Sequence, residues 1–345
     1  MSFSILKRSL LRSLYQLTTT SVGRHFFSKF RFDLESKKLL KRNDQPFQIL
    51  IYHRVLPEFD PFAIDVTPHK RFEKQIKYLS TRFNIVSLDE MMQNVYQGEI
   101  KPDQLCITFD DGYFDNFKYA FPVLKRYNIP ATIFLTTDFI SNNRYLWFDK
   151  AIQFIKYCSK EKINLKEFLG PELHMADFKQ KSVSMYQLLE WLKTKTPVKR
   201  DEILNFLYKK YIMSNIKFDR LMLNWEEIRE MKKSGIEFGS HTKSHPILSK
   251  ISVEQIKNEL IGSKNMIEEK LDQEIHSFAY PNGKVDDFSV DSYKILAECG
   301  YTYAVTTIPG NNFFSTNPFM LHRFLPWDKD PKVFTGRVIF NRITN

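Results

Sequence analysis

The alternation of short β-rich runs with helical stretches is the feature that most limits what this chain can fold into. Seven apolar runs rich in Ile, Val, Thr, Phe and Tyr read as strands: FQILIYH (47–53), FNIVSL (83–88), LCITF (105–109), ATIFL (131–135), IEFGS (236–240), HSFAY (276–280) and YTYAVTT (301–307). Helical patterns over 69–80, 117–127, 224–234, 253–270 and 289–298 separate most of them. Ser252 and Gln255 form a capping box before one helix, and Gly300 closes another. Strands joined by helices need crossover connections and hence a parallel sheet. About seven such strands fit an α/β fold of the distorted (β/α) barrel kind better than a short open sheet. Residues 141–223 interrupt the rhythm with mostly helical patterns, LWFDKAIQFIKYC and EILNFLYKKYIM, and read as an insertion between two strands of one domain. At 345 residues and 43% hydrophobic, the chain can bury a large core, which excludes global disorder.

The net charge of +11 is unevenly spread. Lys7, Arg8, Arg12, Arg24, Lys29 and Arg31 precede the first acid, Asp33. If Ser4–Leu17 is helical, Leu6, Leu10, Leu14 and Leu17 share a face opposite Arg8 and Arg12. Residues 1–45 are therefore expected to be a basic amphipathic segment ahead of a domain spanning 46–345, with residues 1–32 able to meet an anionic membrane surface. No window has the length and purity of a transmembrane helix, and the charged head makes a poor signal peptide. Cys106, Cys158 and Cys299 are few, odd in number and far apart, which fits a reducing compartment. The expected location is cytoplasmic or peripheral on the inner membrane face.

In parallel βα folds, chemistry gathers at the C-terminal ends of the strands. Asp110 and Asp111 directly follow the strand 105–109, and His241 and His245 follow 236–240, so both pairs fall on one rim. Pro246 disfavours helix at His245, leaving the histidines on a loop. Two imidazoles and one carboxylate make a ligand set for a zinc-like divalent cation with a position left for water. Two adjacent acids then have separate tasks. One binds the cation, and the other takes a proton from the water that the cation activates.

TFDDG (108–112) together with SHTKSHP (240–246) resembles the polysaccharide deacetylase family, carbohydrate esterase family 4, with its NodB homology domain. ILIYHRV (49–55), NIPATIFL (128–135), FAYPNGK (278–284) and CGYTYAVTT (299–307) extend the resemblance from about residue 47 to 325. It implies a distorted βα barrel and a metal-dependent hydrolase that removes acetyl groups, N-acetyl above all, from a cell-surface polysaccharide or its lipid-linked precursor. No nucleic acid is expected as a partner. Asp111, His241 and His245 would hold the metal, and Asp110 would be the base. A backbone N–H near Tyr113 would face the oxyanion, and a protonated histidine would help the amine leave.

This chain departs from the family pattern in three places. Ala279 stands where the family often has the arginine that positions the base, IPGNNF replaces an Asp-Trp motif, and His322 in MLHRF is one place off the usual Leu-x-His histidine. His322 and His53 are therefore both candidates for the acid. Arg54 and Arg323 are the candidates to hold Asp110, with Arg323 favoured because it follows the last strand and a guanidinium can grip a carboxylate bidentately. Tyr113, Tyr280 and Trp327 adjoin motif residues and could stack on a sugar, with His53 beside them on the substrate side. The competing reading is a glycan-binding protein on the same barrel, or a hydrolase of another amide or ester. A pure binder has no need of both acids.

Overall fold

The computed structural model describes residues 45–344 except 102, 143, 213–218 and 327. The basic segment 1–32 and Trp327 therefore lie outside the described residues.

The strands are β1 (Gln48–Tyr52), β2 (Arg54–Leu56), β3 (Val66–Pro68), β4 (Asn84–Ile85), β5 (Gln104–Phe109), β6 (Ala131–Leu135), β7 (Lys162–Asn164), β8 (Glu172–His174), β9 (Ile236–Ser240), β10 (Ser277–Ala279) and β11 (Tyr303–Val305). Seven of them form one sheet in the order β1-β5-β6-β9-β10-β11, with β4 also paired to β5. Every pairing in this sheet is parallel. The ring is completed by an irregular segment. Leu321 pairs with Val305 and Phe324 with Leu50, both in parallel. The hydrogen bonds Leu321 N to Ala304 O (2.9 Å) and Phe324 N to Ile49 O (2.8 Å) join the two edges. This is the distorted (β/α) barrel expected from the alternation of strands and helices.

Side chains alternate inside and outside along each strand. Leu105, Ile107 and Phe109 of β5, Ala131, Ile133 and Leu135 of β6, and Phe278 of β10 pack outward against the helices. Ile49, Cys106, Phe134, Ala279, Val305 and Leu321 fill the interior. Gly239 makes this packing possible, because a Cβ there would sit 2.4 Å from Ser277 Oγ and 2.6 Å from the Phe134 ring.

The helices His69–Ser80, Trp225–Lys233, Val253–Leu271 and Val290–Glu298 lie within about one residue of the expected ranges. The expected 117–127 helix is split into a π-helical turn, Asn116–Ala120, and an α-helix, Phe121–Arg126. The capping box at Ser252 and Gln255 forms, and Gly300 takes the left-handed conformation (φ 80°) just past its helix. The expected strand 83–88 shrinks to two residues. Its last residues instead begin an unanticipated helix, Leu88–Tyr96, capped by the Ser87 side chain.

The insertion between β6 and β9 carries the helices Trp147–Tyr157, Phe178–Lys193 and Pro197–Tyr211 and an antiparallel hairpin of β7 and β8. It has its own core, including Phe154, Ile155, Leu173, Leu188, Leu192, Ile203 and Leu207. Among the described residues no helix is long and apolar enough to cross a membrane.

Candidate active site

Residues 106, 108 and 110 lie on the interior face of β5 and its continuation, so Asp110 emerges at the strand's C-terminal end pointing into the barrel. The chain then turns sharply. Asp111 (φ 75°) and Gly112 (φ 82°) both adopt the left-handed region, which Asp tolerates and Gly accepts freely. The Asp111 carbonyl accepts from Thr136 Oγ1 (2.7 Å), fixing the turn. The reversal gives the two adjacent acids different surroundings.

Asp110 is gripped by Arg323. Nη1 donates to Oδ1 and Nη2 to Oδ2, both at 2.7 Å. The same guanidinium donates to Thr108 Oγ1 (3.1 Å) and, from Nε, to the Thr306 carbonyl (2.7 Å). Arg323 is 0% exposed, so the whole pair is inside the barrel. Burial pushes the Asp110 carboxyl upward, but the charge and hydrogen bonds of Arg323, with His241 and His53, bring it down to about 2. Arg54, the other arginine candidate, is engaged elsewhere. It binds Asp115 through Nε (2.9 Å) and Nη2 (2.8 Å).

Asp111 has no such partner. Its buried Oδ1 accepts no hydrogen bond. It faces His241 Nε2 at 3.5 Å and His245 Nε2 at 3.4 Å, and the three ligand atoms lie within 4.8 Å of one another. Burial, followed by the charges of Asp110, Asp149 and Asp65, drives its carboxyl well above the usual range. Burial also lowers His241 to about 4 and His245 well below its ordinary value. His241 Nδ1 donates to the Ala279 carbonyl (2.7 Å), which fixes the tautomer and turns the Nε2 lone pair toward Asp111. Thr242 (φ 69°) and His245 (φ 55°) are both left-handed, so the loop is wound tightly to bring the two rings 4.8 Å apart. Two neutral imidazoles and a carboxylate with an unused buried oxygen are the donor set that a divalent cation needs. The residues present fit the metal.

His53, at the end of β1, reaches the same place, with Nε2 3.9 Å from Asp110 Oδ2 and Nδ1 3.9 Å from Asp65. His322 does not. Alternation along the closing segment sends Arg323 inward and His322 outward, where its ring packs against Gly310 and its Nδ1 lies 3.3 Å from the Asn311 carbonyl. No described contact joins His322 to Asp110, Asp111 or the two histidines.

Two of the three aromatic candidates for sugar stacking, Tyr113 and Tyr280, need the same correction. Tyr113 is buried, covered by Arg54 at 4.4 Å, and its hydroxyl donates to Asp149 Oδ2 (3.0 Å). Tyr280 is buried against Phe288, with stacked rings 4.1 Å apart. Neither offers a free ring face, because both side chains point to the packed side of their segments. Sequence reasoning missed Asp149, which the insertion's first helix brings beside Tyr113. It also missed Phe148, packed edge-on against His245 at 5.3 Å. Nothing local in the sequence ties that helix to the rim.

The model of the polysaccharide deacetylase family matches residues 97–304. "Putative polysaccharide deacetylase YxkH" of Bacillus subtilis (strain 168) is 24% identical over 259 residues, covering 74% of this chain and 64% of the relative. The match thus spans less than two thirds of that relative's length. "Poly-beta-1,6-N-acetyl-D-glucosamine N-deacetylase" of Staphylococcus epidermidis is 25% identical over 231 residues, covering 59% of this chain and 75% of the relative. In fold, the chain is similar to the Streptococcus pyogenes deacetylase PplD, with a TM-score of 0.57 and 20% identity over 87% of this chain and 99% of that one. It is also similar to IcaB from Ammonifex degensii, with a TM-score of 0.56 and 18% identity over 86% of this chain and 97% of that one. With its barrel, its paired aspartates and its two histidines on one rim, the chain belongs to the polysaccharide deacetylase family.

Proposed function

We propose that this protein is a metal-dependent hydrolase that removes N-acetyl groups from a polysaccharide of the poly-N-acetylglucosamine kind or from its lipid-linked precursor. The observation that carries this reading is the division of labour between adjacent acids, with Asp110 locked onto Arg323 and Asp111 left without a partner before two neutral histidines. The named Staphylococcus relative supports the choice of substrate.

Asp111, His241 and His245 would hold the cation, with zinc the first choice for an Asp-His-His set. When bound, it supplies Lewis-acid polarisation of the acetyl carbonyl and acidifies a water. Asp110 is paired with Arg323 and Asp115 with Arg54, whereas Asp111 is paired with no arginine, so a cation held there would offset the cost of ionising it. Asp110, kept ionised and fixed in one rotamer, takes the proton from the attacking water as its oxygen bonds to the acetyl carbon. His53, with Nε2 3.9 Å from Asp110, would pass its proton to the amine nitrogen as the C–N bond breaks. Arg323 supplies the positioning arginine that Ala279 cannot.

Acetate release from N-acetylglucosamine oligomers, with and without chelator and with zinc added back, tests the reading. Chelator-insensitive release would overturn the metal assignment, and no release from any N-acetylated glycan would overturn the reaction. Peripheral membrane attachment through residues 1–32 is part of the same proposal. Deleting them should leave activity on soluble oligomers intact and abolish salt-sensitive binding to anionic vesicles. Equal vesicle binding by the truncated protein would remove that part.

A further inference from the structure

Arg200 stands in the first turn of the helix Pro197–Tyr211, where its N–H donates to the Thr196 carbonyl at 3.0 Å. A cation there faces the positive end of the helix dipole. It is also buried, with 3% exposure. Its Nε has no hydrogen-bond partner, and the acid whose charge it feels, Asp201, is its exposed chain neighbour. Burial pushes its guanidinium down to about 10. Its compensation is the face of Trp147, 4.4 Å away. A cation–π contact returns less than an unpaired buried charge loses on leaving water.

The place of Arg200 gives this imbalance a use. Trp147 packs edge-on against Phe148 (5.5 Å), and Phe148 edge-on against His245 (5.3 Å). Arg200 thus belongs, through Trp147 and Phe148, to the wall that the insertion raises beside His245. Of the acids around the site, Asp110 is matched by Arg323, Asp115 by Arg54 and Asp149 by the Tyr113 hydroxyl, with Asp111 left for the cation.

We propose that Arg200 is a substrate-binding residue that receives an oxyanion, a carboxylate or phosphate carried by the glycan, at the insertion edge of the site. The inference rests on the reading above that this site takes a glycan. A planar guanidinium fork matches either oxyanion bidentately. Free acetate, the product of deacetylation, presents the same chemistry from a second source, and the test separates the two.

The test is calorimetric binding to the full chain, both chelator-treated and zinc-loaded. The probes are a neutral N-acetylglucosamine tetramer, the same tetramer bearing 6-phosphates, a tetramer alternating with N-acetylmuramic acid, and sodium acetate. Wild type should bind at least one anionic tetramer about tenfold or more tighter than the neutral one in both metal states, since a charged hydrogen-bonded contact is worth that much. Arg200→Gln should erase the preference while leaving neutral affinity within about twofold. Arg200→Lys keeps the charge without the fork and should lose most of the preference, so the test remains decisive if the Gln variant does not fold. No anionic preference in wild type, or equal weakening of neutral and anionic tetramers by the substitutions, would overturn the proposal. Acetate binding as tight as the anionic tetramers and equally dependent on Arg200 would assign the residue to the product and overturn it too. Arg200-dependent binding without acetate release from any tetramer would instead sink the deacetylase reading and leave this one standing.

Discussion

The two ends of the barrel interior hold carboxylates under opposite terms, Asp110 buried and Glu237 half-buried. At the C-terminal rim, Asp110 shares both oxygens with Arg323 and is held down to about 2. At the other end, Glu237 of β9 accepts from Thr132 Oγ1 (3.1 Å) and the Asp89 N–H (3.3 Å), with no ion pair to a cation among the described residues. Burial, and then the charge of Asp89, push Glu237 up to about 7. Glu237, Gly239 and His241 lie on one alternating column, so a single strand runs from an acid that resists ionisation to a histidine that resists protonation. The same desolvation acts at both ends, and the difference is whether an arginine answers it. Ionisation is stabilised at Asp110, where the proposed chemistry places a base, and at the other end it is left as a cost to stability.

The sharpest way to break this contrast is at the rim. Asp110→Asn keeps the shape but removes the proton acceptor. Metal content by elemental analysis should be unchanged, while turnover falls by roughly a hundredfold or more. Wild-type turnover in that variant would cancel the role given to Asp110. Asp111→Asn should lose metal as well as rate, and retention of full occupancy would show that the triad is not the ligand set.

Arg323→Lys comes next. A lysine cannot reproduce the two parallel bonds, so the rate should fall by about tenfold with metal content intact. Arg323→Met should also destabilise the fold by about 3–5 kcal/mol, because it strands a buried carboxylate. The equivalent lysine change at Arg54 should affect the rate less, and a larger effect there would exchange the two arginines' roles. His53→Gln should reduce turnover while His322→Gln should not, which separates the two acid candidates by steady-state kinetics.

The smallest expected effect is at the opposite end. The folded-state pKa of Glu237 is raised above its unfolded value, so its contribution to stability is fully present below the usual glutamate range. That contribution is lost as pH rises through about 7. Its own contribution to melting temperature should therefore decline between roughly pH 4.5 and pH 8, read as the difference between wild type and Glu237→Gln because His241 and His245 act in the opposite sense in both. Glu237→Gln should flatten that decline and stabilise the protein at pH 8 by on the order of 1–3 kcal/mol. A variant that melted like wild type at both pH values would mean that Glu237 is already relieved by its neighbours.

What could be read from the sequence was what local pattern dictates. Strand runs followed by acids or histidines place Asp110, Asp111, His241 and His245 on one rim, because a parallel sheet aligns its strand ends. Arg323 could be anticipated from need, since Ala279 cannot hold a base and a bidentate partner must come from somewhere. Direction was harder to read. Tyr113, Tyr280 and His322 neighbour motif residues in the chain, yet a turn or a single step of alternation sends each side chain away from the cleft. Asp149 and Arg200 were not legible at all. Their positions depend on how the insertion docks, a tertiary matter on which helical periodicity is silent. The helix Leu88–Tyr96 was hidden because its cap, Ser87, follows a strand of only two residues.

The barrel is closed by the segment carrying Arg323, and this sets an order of events during synthesis. The residues proposed to hold a metal have all left the ribosome once His245 has emerged. The arginine that holds Asp110 comes 78 positions later, in the piece that seals β1 to β11. The candidate cation site needs the chain only as far as Ala279, whose carbonyl orients His241, but Asp110 is not fixed until the ring is shut. On the proposed roles, truncated or stalled products that still bound metal would lack a positioned base.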